Sequence, residues 1–204
     1  MTNRFCICVF WEKDGIVRDY VEYYLKGLQE IANKVLIVVN GEINAEGKKK
    51  LQALGVDIMQ RPNLGLDFGG WKEAIFKIGY NELSKYDELI LTNTTCYGPI
   101  YPLSEMFGEM KSRNCDFWGI TKHPEVNRYM LPGDPNSKIL EHVQSYFVVY
   151  KKSVFLSDVF KTFWKNVQLY TDYNKVVGYY ETKLTNYLEV AGFKLDSFIK
   201  KIQF

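Results

Sequence analysis

Hydrophobic residues near the start of the chain alternate between short apolar runs and stretches with helical spacing. The runs at residues 5–10 and 35–39 contain β-branched and aromatic residues, which favours strands. Between them, apolar residues from Val21 to Leu28 follow the i, i+3, i+4, i+7 spacing of a helix. The pattern predicts a strand, helix, strand unit, and therefore a sheet that is parallel at its start.

The same alternation continues along the rest of the chain. Further strands are predicted at residues 56–60, 88–92, 117–121 and 145–150, and further helices at 48–54, 71–79, 103–110, 154–167 and 181–190. Residues 123–138 are rich in Pro, Gly and Asn without strong periodicity, so they are predicted to form a long loop of the kind that is often functional. The prediction is an α/β fold with helices around a mixed, mostly parallel sheet.

Composition limits the classes of protein to consider. A chain of 204 residues that is 47% hydrophobic can form one full core, so a single domain over residues 1–204 is expected. The formal net charge is +2 and the Lys and Arg residues are dispersed, so the sequence shows no basic patch of the kind that binds nucleic acid.

The chain also carries signals about its compartment. It lacks a signal-peptide pattern, and no apolar run approaches the roughly 20 residues of a membrane span. The four cysteines have neither zinc-site spacing nor the density of a disulfide framework, and Cys6 and Cys8 share one face of a predicted strand. A reduced, cytoplasmic location is expected, with any membrane association peripheral.

The segment 61–72 is rich in glycine and precedes a predicted helix. Gly65, Gly69 and Gly70 would let the backbone approach a ligand, and the first turn of a helix offers free N–H groups that favour anions. A tight strand-to-helix turn without a ligand would select the same residues. Both interpretations remain open on composition alone.

Four blocks, in order, carry a resemblance to a known family: residues 61–72 (RPNLGLDFGGWK), 92–99 (TNTTCYGP), 115–119 (CDFWG) and 142–147 (HVQSYF). With these blocks the chain resembles the rhamnan synthesis protein F family, glycosyltransferases of bacterial cell-surface polysaccharide assembly, including lipopolysaccharide and cell-wall glycans. The resemblance implies a GT-A-like nucleotide-sugar-binding fold, with residues 1–100 as the nucleotide-binding half and 101–204 as the acceptor half. It also implies a dTDP-rhamnose or UDP-sugar donor and a glycan or lipid-linked acceptor at the inner membrane face, handled by a homo-oligomer or a larger synthase.

The donor-binding residues that the resemblance and the positions at strand ends suggest are Phe10, Asn40, Arg61, Asn63, Gly65, Asp67, Gly69, Gly70, Lys72, Asn93, Thr94 and Thr95. Several have a structural alternative. Asp67 could contact the nucleobase or ribose, or it could cap the helix that follows. Lys72 could pair with the diphosphate or be a surface cation, and Trp71 is more typical of a core anchor than of a stacking platform.

One position departs from the family pattern. The family pattern that the chain resembles has Asn-Asp-Ser where this chain has Asn93-Thr94-Thr95. In GT-A enzymes an acidic residue of that loop holds Mg²⁺ or Mn²⁺ on the diphosphate. Thr94 therefore puts metal binding in doubt. Asp67 could compensate, helix termini and cations could stabilise the leaving group instead, or activity could be lost.

Inverting transfer requires a general base for the acceptor hydroxyl. Glu181 is the candidate, because the segment around it resembles the late acidic motif of inverting GT-A enzymes. The alternative is that Glu181 only complements the dipole at the start of a helix. Asp116 is a second catalytic candidate, and Asp134 a weaker one that turn chemistry explains.

The acceptor-binding candidates are Tyr97, Trp118, His142, Gln144, Ser145 and Tyr146. Amide, hydroxyl and phenol groups suit sugar hydroxyls, and an indole could stack on a pyranose. An alternating strand would bury Trp118 and Tyr146 without a ligand, and both histidines, His123 and His142, fit structural roles.

The predicted function is therefore sugar transfer from a nucleotide sugar, with a catalytically reduced sugar- or nucleotide-binding module as the alternative. A dinucleotide oxidoreductase is disfavoured, because the glycines follow the third predicted strand and do not form G-x-G-x-x-G after the first.

Overall fold

The computed structural model describes residues 2–200 as strands and helices of an α/β protein. Its strands are β1 (Arg4–Phe10), β2 (Lys34–Asn40), β3 (Asp57–Arg61), β4 (Glu88–Asn93), β5 (Phe117–Gly119), β6 (Lys122–His123), β7 (His142–Val143), β8 (Phe147–Lys151) and β9 (Leu195–Ser197). Its α-helices are α1 (Asp19–Ile31), α2 (Ala45–Ala53), α3 (Leu66–Ile78), α4 (Tyr80–Leu83), α5 (Leu103–Met110), α6 (Lys152–Phe155), α7 (Asp158–Asn166), α8 (Tyr173–Val176) and α9 (Thr182–Val190).

The central sheet has the strand order β3-β2-β1-β4-β8-β5-β9, and β6 pairs with β7 separately. Strands β3, β2, β1 and β4 are mutually parallel, whereas β8 runs antiparallel to both β4 and β5. The predicted mixed, mostly parallel sheet is confirmed. Because β1 has β2 on one side and β4 on the other, the chain reverses its direction of winding there, and open α/β sheets form their ligand crevice at the carboxyl ends of such strands.

Alternating side chains of β1 divide the interior into two cores, one on each face of the sheet. Phe5, Ile7 and Val9 face the core that α3, α7 and α9 cover. Cys6 and Cys8 face the other, which α1 and α5 cover, so the predicted shared face of these cysteines is confirmed. The period of two along a strand produces this separation.

Three element predictions need correction. Helix α3 begins at Leu66, five residues before the predicted start, so the paired glycines lie inside the helix. The helix predicted at 154–167 is two helices, because the Ser157 hydroxyl accepts from Phe160 N–H at 3.2 Å and starts α7 anew. The predicted loop at 123–138 contains a short 3₁₀ turn, Pro135–Ser137, which the pattern did not show.

The last predicted helix also differs. Helices α8 and α9 are joined without a break by a π-helical segment, Val177–Glu181. The helical run therefore starts at Tyr173, where the Asp172 side chain accepts from Lys175 N–H at 3.2 Å. Glu181 lies within the run and not at its first turn, so the dipole interpretation of Glu181 is wrong.

Within residues 2–200, no helix has the length and apolar character needed to cross a membrane.

Candidate functional site

The crevice at the carboxyl end of β4 contains a hydrogen-bonded group of polar side chains. Asn93 ends β4 and is almost fully buried. Its Nδ2 donates to Asp67 Oδ2 at 2.7 Å, and its Oδ1 accepts from the N–H of Thr95 at 3.2 Å and from the hydroxyl of Thr95 at 2.6 Å. The structure thus brings together three predicted donor-side residues from two distant segments.

Asp67 is not the N-cap of α3. That position belongs to Gly65, and the Asp67 carboxylate turns to Asn93. Burial raises the pKa of Asp67 from 3.8 to about 6; the Asn93 hydrogen bond opposes the shift, and the nearby charge of Glu181 adds to it. A carboxyl group whose ionised form is disfavoured by burial and by a neighbouring acid is typical of functional sites.

Glu181 reaches the same crevice from the C-terminal half of the chain. Its Oε1 accepts from Ser145 N–H at 3.0 Å and from the Ser145 hydroxyl at 2.9 Å. Ser145 lies just before β8, whose first residue, Phe147, pairs with Thr92 near the carboxyl end of β4. Two carboxylates, Asp67 and Glu181, therefore lie near enough for their charges to interact, where the two halves of the sheet join.

The π-helical segment that carries Glu181 packs against the loop that joins β6 to β7, residues 124–141. A Cβ on Gly178 would lie 3.0 Å from Met130 Cβ and 3.1 Å from Ser137 Cβ, so any larger residue would have to push these neighbours aside. The phenol of Tyr179 donates to Asp134 Oδ2 at 2.5 Å. These contacts fix the segment in place, and π-bulges of this kind are frequent at functional sites. They also give Asp134 a structural role.

Arg61 is buried and engaged within the protein, which corrects its assignment as a donor-binding side chain. Its guanidinium donates to Asn40 Oδ1 at 2.7 Å, to Leu64 O at 2.7 Å and to Glu73 Oε1 at 2.6 Å. Asn40, also buried, donates from Nδ2 to Leu66 O at 2.9 Å. The bond to Arg61 lowers the pKa of Glu73. Both predicted residues hold the loop that leads into α3.

The glycines of the 61–72 segment serve close packing. A Cβ on Gly69 would lie 2.0 Å from Leu64 O, and one on Gly70 would lie 2.8 Å from Val9 Cγ2. Gly65 adopts a φ of 76°, which favours glycine. Asn63, beside this turn, is partly buried, and its Oδ1 has no hydrogen-bond partner within the described residues. The tight turn that leads into the helix therefore uses Gly65, whereas Gly69 and Gly70 lie inside α3 and allow close packing.

Four further residues of the predicted site region have other roles. Phe10 and Trp118 are core residues, with Trp118 packed edge-on to Phe107, so neither side chain can contact a ligand in this conformation. Trp71 is buried and donates from Nε1 to Thr92 O at 3.1 Å, as a core anchor would. Lys72 donates to Lys165 O and Val167 O at the end of α7, which corrects its proposed role on a diphosphate.

Asp116 lies at the wrong edge of the sheet for catalysis with Glu181. It directly precedes β5, and its backbone carbonyl accepts from Lys151 N–H, opposite the amino end of β4. Its Oδ2 accepts from Lys194 N–H at 2.8 Å. Asp116 therefore joins β5 to the segment before β9, and its candidate catalytic role is wrong.

The remaining acceptor-side residues form a second polar group next to Ser145. The Thr121 hydroxyl bonds to Gln144 Oε1 and to the Tyr146 hydroxyl, each at 2.7 Å. No pattern in the sequence identified Thr121, because its partners are more than twenty residues away. Tyr97 is 77% exposed and packs on Tyr20 with ring centroids 4.5 Å apart.

His142 is buried, and its ring stacks on His123 with centroids 5.3 Å apart. The Nδ1 of each ring bonds to a backbone carbonyl, that of Leu140 for His142 and that of Pro124 for His123. Burial is the main cause that lowers the pKa of His142, although Glu181 opposes it. The pair joins β6 to β7, which supports the structural interpretation of both histidines.

Thr94 is 6% exposed, and its N–H donates to Val9 O at 3.1 Å. Its neutral side chain supplies no charge for a cation. Across residues 2–200, no group of three or more His, Cys, Asp or Glu side chains gathers in a metal-binding arrangement. The carboxylates near this loop are those of Asp67 and Glu181, and Mg²⁺ in proteins is commonly held by one or two carboxylates together with substrate phosphates.

The fold is that of the GT-A-like nucleotide-sugar transferases. Solved structures that share it include a protein of Desulfovibrio desulfuricans G20 described as a nucleotide-diphospho-sugar transferase, with 17% identity, a TM-score of 0.50, and coverage of 95% of this chain and 78% of that chain. A cytidylyltransferase from Leptospira borgpetersenii serovar Hardjo-bovis has 11% identity and a TM-score of 0.52, with coverage of 96% of this chain and 75% of that chain. At these identities the likeness shows the fold alone.

The family model of rhamnan synthesis protein F matches residues 35–204, and the chain belongs to that family. The match confirms the predicted resemblance. An uncharacterized protein of Sinorhizobium fredii strain NGR234, y4gN, is 24% identical over 183 residues, which are 88% of this chain. The chain spans 45% of the length of that relative.

Proposed function

We propose that the chain is a glycosyltransferase domain that moves a sugar, most simply rhamnose, from a dTDP- or UDP-activated donor to a cell-surface polysaccharide or lipid-linked glycan. The observation that carries the proposal is that Glu181 lies near enough to Asp67, which bonds to the last residue of β4, for its charge to raise the pKa of Asp67; the two acids come from opposite halves of the chain. Family membership and the fold support it.

Glu181 is the general base of the proposed reaction. Its carboxylate takes the proton of the acceptor hydroxyl while that oxygen forms a bond to the anomeric carbon. The bond from the anomeric carbon to the diphosphate breaks on the opposite face, so the configuration inverts and the nucleoside diphosphate leaves with the electron pair. The two hydrogen bonds from Ser145 hold Oε1 and leave Oε2 for the acceptor.

Asp67, Asn93 and Thr95 form the donor side. Their carboxylate, amide and hydroxyl groups suit the hydroxyls of a ribose or a sugar. No side chain caps the first turn of α3, so its N–H groups are the natural partners of the leaving diphosphate. Each role in the proposed reaction is assigned to a side chain or backbone group of this chain, and assays with and without Mg²⁺ test whether a divalent cation takes part.

The test is single-turnover transfer with a panel of dTDP- and UDP-sugars, each with and without Mg²⁺, alongside calorimetry with the corresponding nucleotides. We expect one donor to bind and turn over. Silence with every donor, together with no nucleotide binding, would overturn the proposal. Sedimentation with acceptor-containing vesicles would show whether the chain associates peripherally with the cytoplasmic membrane face.

A second candidate is a nucleotide- or sugar-binding module without turnover, acting as a partner or as one domain of a larger synthase. The neutral Thr94 in the loop after β4 favours it. Nucleotide binding without transfer, and no gain from Thr94→Asp in the presence of Mg²⁺, would support this function. Transfer by the unmodified chain would exclude it.

A further inference from the structure

Leu66, the residue just before Asp67, adopts a backbone conformation that leucine does not favour. Gly65 has a φ of 76°, and Leu66 has a φ of 51°, the one positive value at a non-glycine residue within residues 2–200. The left-handed conformation is sterically unfavourable for leucine because of its Cβ, so surrounding contacts must hold the residue there. The conformation persists because of those contacts, and it determines where the next residue, Asp67, points.

Two buried side chains make the contacts. Asn40 Nδ2 donates to Leu66 O at 2.9 Å, and Arg61 Nη2 donates to Leu64 O at 2.7 Å, so the carbonyls on both sides of Gly65 are held. Arg61 also donates to Asn40 Oδ1 at 2.7 Å, which joins the two side chains into one unit. We call this unit the loop clamp: Asn40 and Arg61 on the carbonyls of Leu64 and Leu66.

The clamp is anchored on rigid elements. Asn40 and Arg61 are paired residues at the ends of β2 and β3, and both are at most 5% exposed. The guanidinium also binds Glu73 from α3 at 2.6 Å. Neither clamp residue has a hydrogen bond or ion pair to Asp67, and the pKa of Asp67 is shifted by burial, by the Asn93 hydrogen bond and by the charge of Glu181.

We propose that Asn40 and Arg61 are positioning residues that force Gly65 and Leu66 into the left-handed conformation and thereby hold Asp67 in the crevice beside Asn93. The inference rests on the proposed function for the role of Asp67 in donor binding. The clamp itself is a property of the ligand-free protein, so the two can be tested separately.

The experiment follows the Asp67 carboxyl by ¹³C NMR across pH in the ligand-free chain. Arg61→Lys keeps the charge but cannot span Asn40, Leu64 and Glu73, and Asn40→Ser is too short to reach Leu66 O. We expect the Asp67 midpoint to fall from about 6 toward 3.8 in both variants, as the carboxylate moves out into water. The same change at Arg113, which donates to Ser197 O and pairs with Glu109 at the far edge of the sheet, is the matched control and leaves the midpoint in place.

A rescue distinguishes positioning from general loss of structure. Glycine adopts positive φ without penalty, so Leu66→Gly added to Asn40→Ser should return the midpoint toward 6. A midpoint that stays near 6 in both single variants, or one that Leu66→Gly does not restore, would overturn the proposal. Nucleotide calorimetry on the same variants then tests the proposed function. Nucleotide affinity that weakens in the variants whose Asp67 midpoint falls supports the function. If the midpoint falls but no variant, nor the unmodified chain, binds nucleotide, the proposed function is rejected and the positioning role of Asn40 and Arg61 stands.

Discussion

Glu181 Oε1 accepts two hydrogen bonds from a single residue, Ser145, through its N–H at 3.0 Å and its hydroxyl at 2.9 Å. Glutamine at position 181 keeps an oxygen for both bonds but cannot take a proton. We therefore expect Glu181→Gln to reduce transfer by about 10²–10⁴-fold with donor affinity unchanged, since general base catalysis contributes a factor of that size. Single-turnover rates and calorimetry measure the two effects.

Glu189→Gln is the control for this prediction. Glu189 is an exposed residue of the same helix, α9, and the same chemical change there should leave the rate of transfer unchanged. If Glu181→Gln transfers sugar at the unmodified rate, the base lies elsewhere.

Asp67 should make the protein less stable as pH rises. Its pKa is 3.8 when unfolded and about 6 when folded, so between these values the folded state binds more protons than the unfolded state. The contribution of Asp67 to the free energy of unfolding is therefore greatest below about pH 4. It is lost as pH rises through 6, and the loss is at most about 3 kcal/mol. Asp67→Asn keeps an acceptor for Asn93, removes this loss and should stabilise the protein at pH 7, while weakening donor binding.

Urea denaturation at several values between pH 4.5 and pH 7.5 measures this effect. Asp57→Asn serves as the control, because Asp57 forms an exposed ion pair with Lys34 and such pairs contribute at most about 1 kcal/mol. If the Asp67→Asn protein is no more stable than the unmodified chain at pH 7, the ionised carboxylate of Asp67 does not destabilise the folded state.

The sequence predicted the parallel half of the fold well because its signals are local. Apolar runs and helical spacing identify β1, α1 and β2, and the predicted fourth strand has its counterpart in β4, which ends at Asn93. Asp67 and Asn93 could be expected near each other, since both follow carboxyl ends of strands in one parallel sheet.

The rest depended on contacts that no local pattern contains. The direction of β5 is set by pairing with the antiparallel β8, and without that direction Asp116 could not be placed at the opposite edge. Arg61 ends a strand at the correct edge, yet its partners Asn40 and Glu73 bury it. The π-helical turn that carries Glu181 was also not predicted, because no hydrophobic spacing in the sequence distinguishes it from an α-helix.

Gly69 and Gly70 should be intolerant of alanine for steric reasons. A Cβ on Gly69 would lie 2.0 Å from Leu64 O, which is backbone and cannot rotate away. We expect Gly69→Ala to destabilise the protein by about 3 kcal/mol or more and Gly70→Ala by about 1–3 kcal/mol, the usual range for overpacking. Thermal and urea unfolding measure both.

Gly108 provides the opposite case. It lies exposed within α5, and a Cβ there would have no neighbour within 4 Å. Gly108→Ala should therefore stabilise the protein by about 0.5–1 kcal/mol, since alanine favours helix interiors over glycine. Equal effects at positions 69 and 108 would contradict the packing account of the glycine-rich segment.

Trp71 and Trp164 differ in one hydrogen bond and offer a matched pair. Both are essentially fully buried in the same core with their rings 6.5 Å apart, but Trp71 Nε1 donates to Thr92 O at 3.1 Å, whereas Trp164 Nε1 has no partner within the described residues. Changing either to Phe removes similar volume. Trp71→Phe also removes a hydrogen bond, while Trp164→Phe removes a buried donor that is unsatisfied.

We therefore expect Trp71→Phe to be more destabilising than Trp164→Phe by about 1–3 kcal/mol in urea denaturation. Nucleotide affinity should be the same in both variants, because both indole rings are essentially fully buried in one core. Equal losses of stability would show that the bond to Thr92 contributes nothing, and a selective loss of nucleotide affinity in Trp71→Phe would restore the stacking role that its burial argues against.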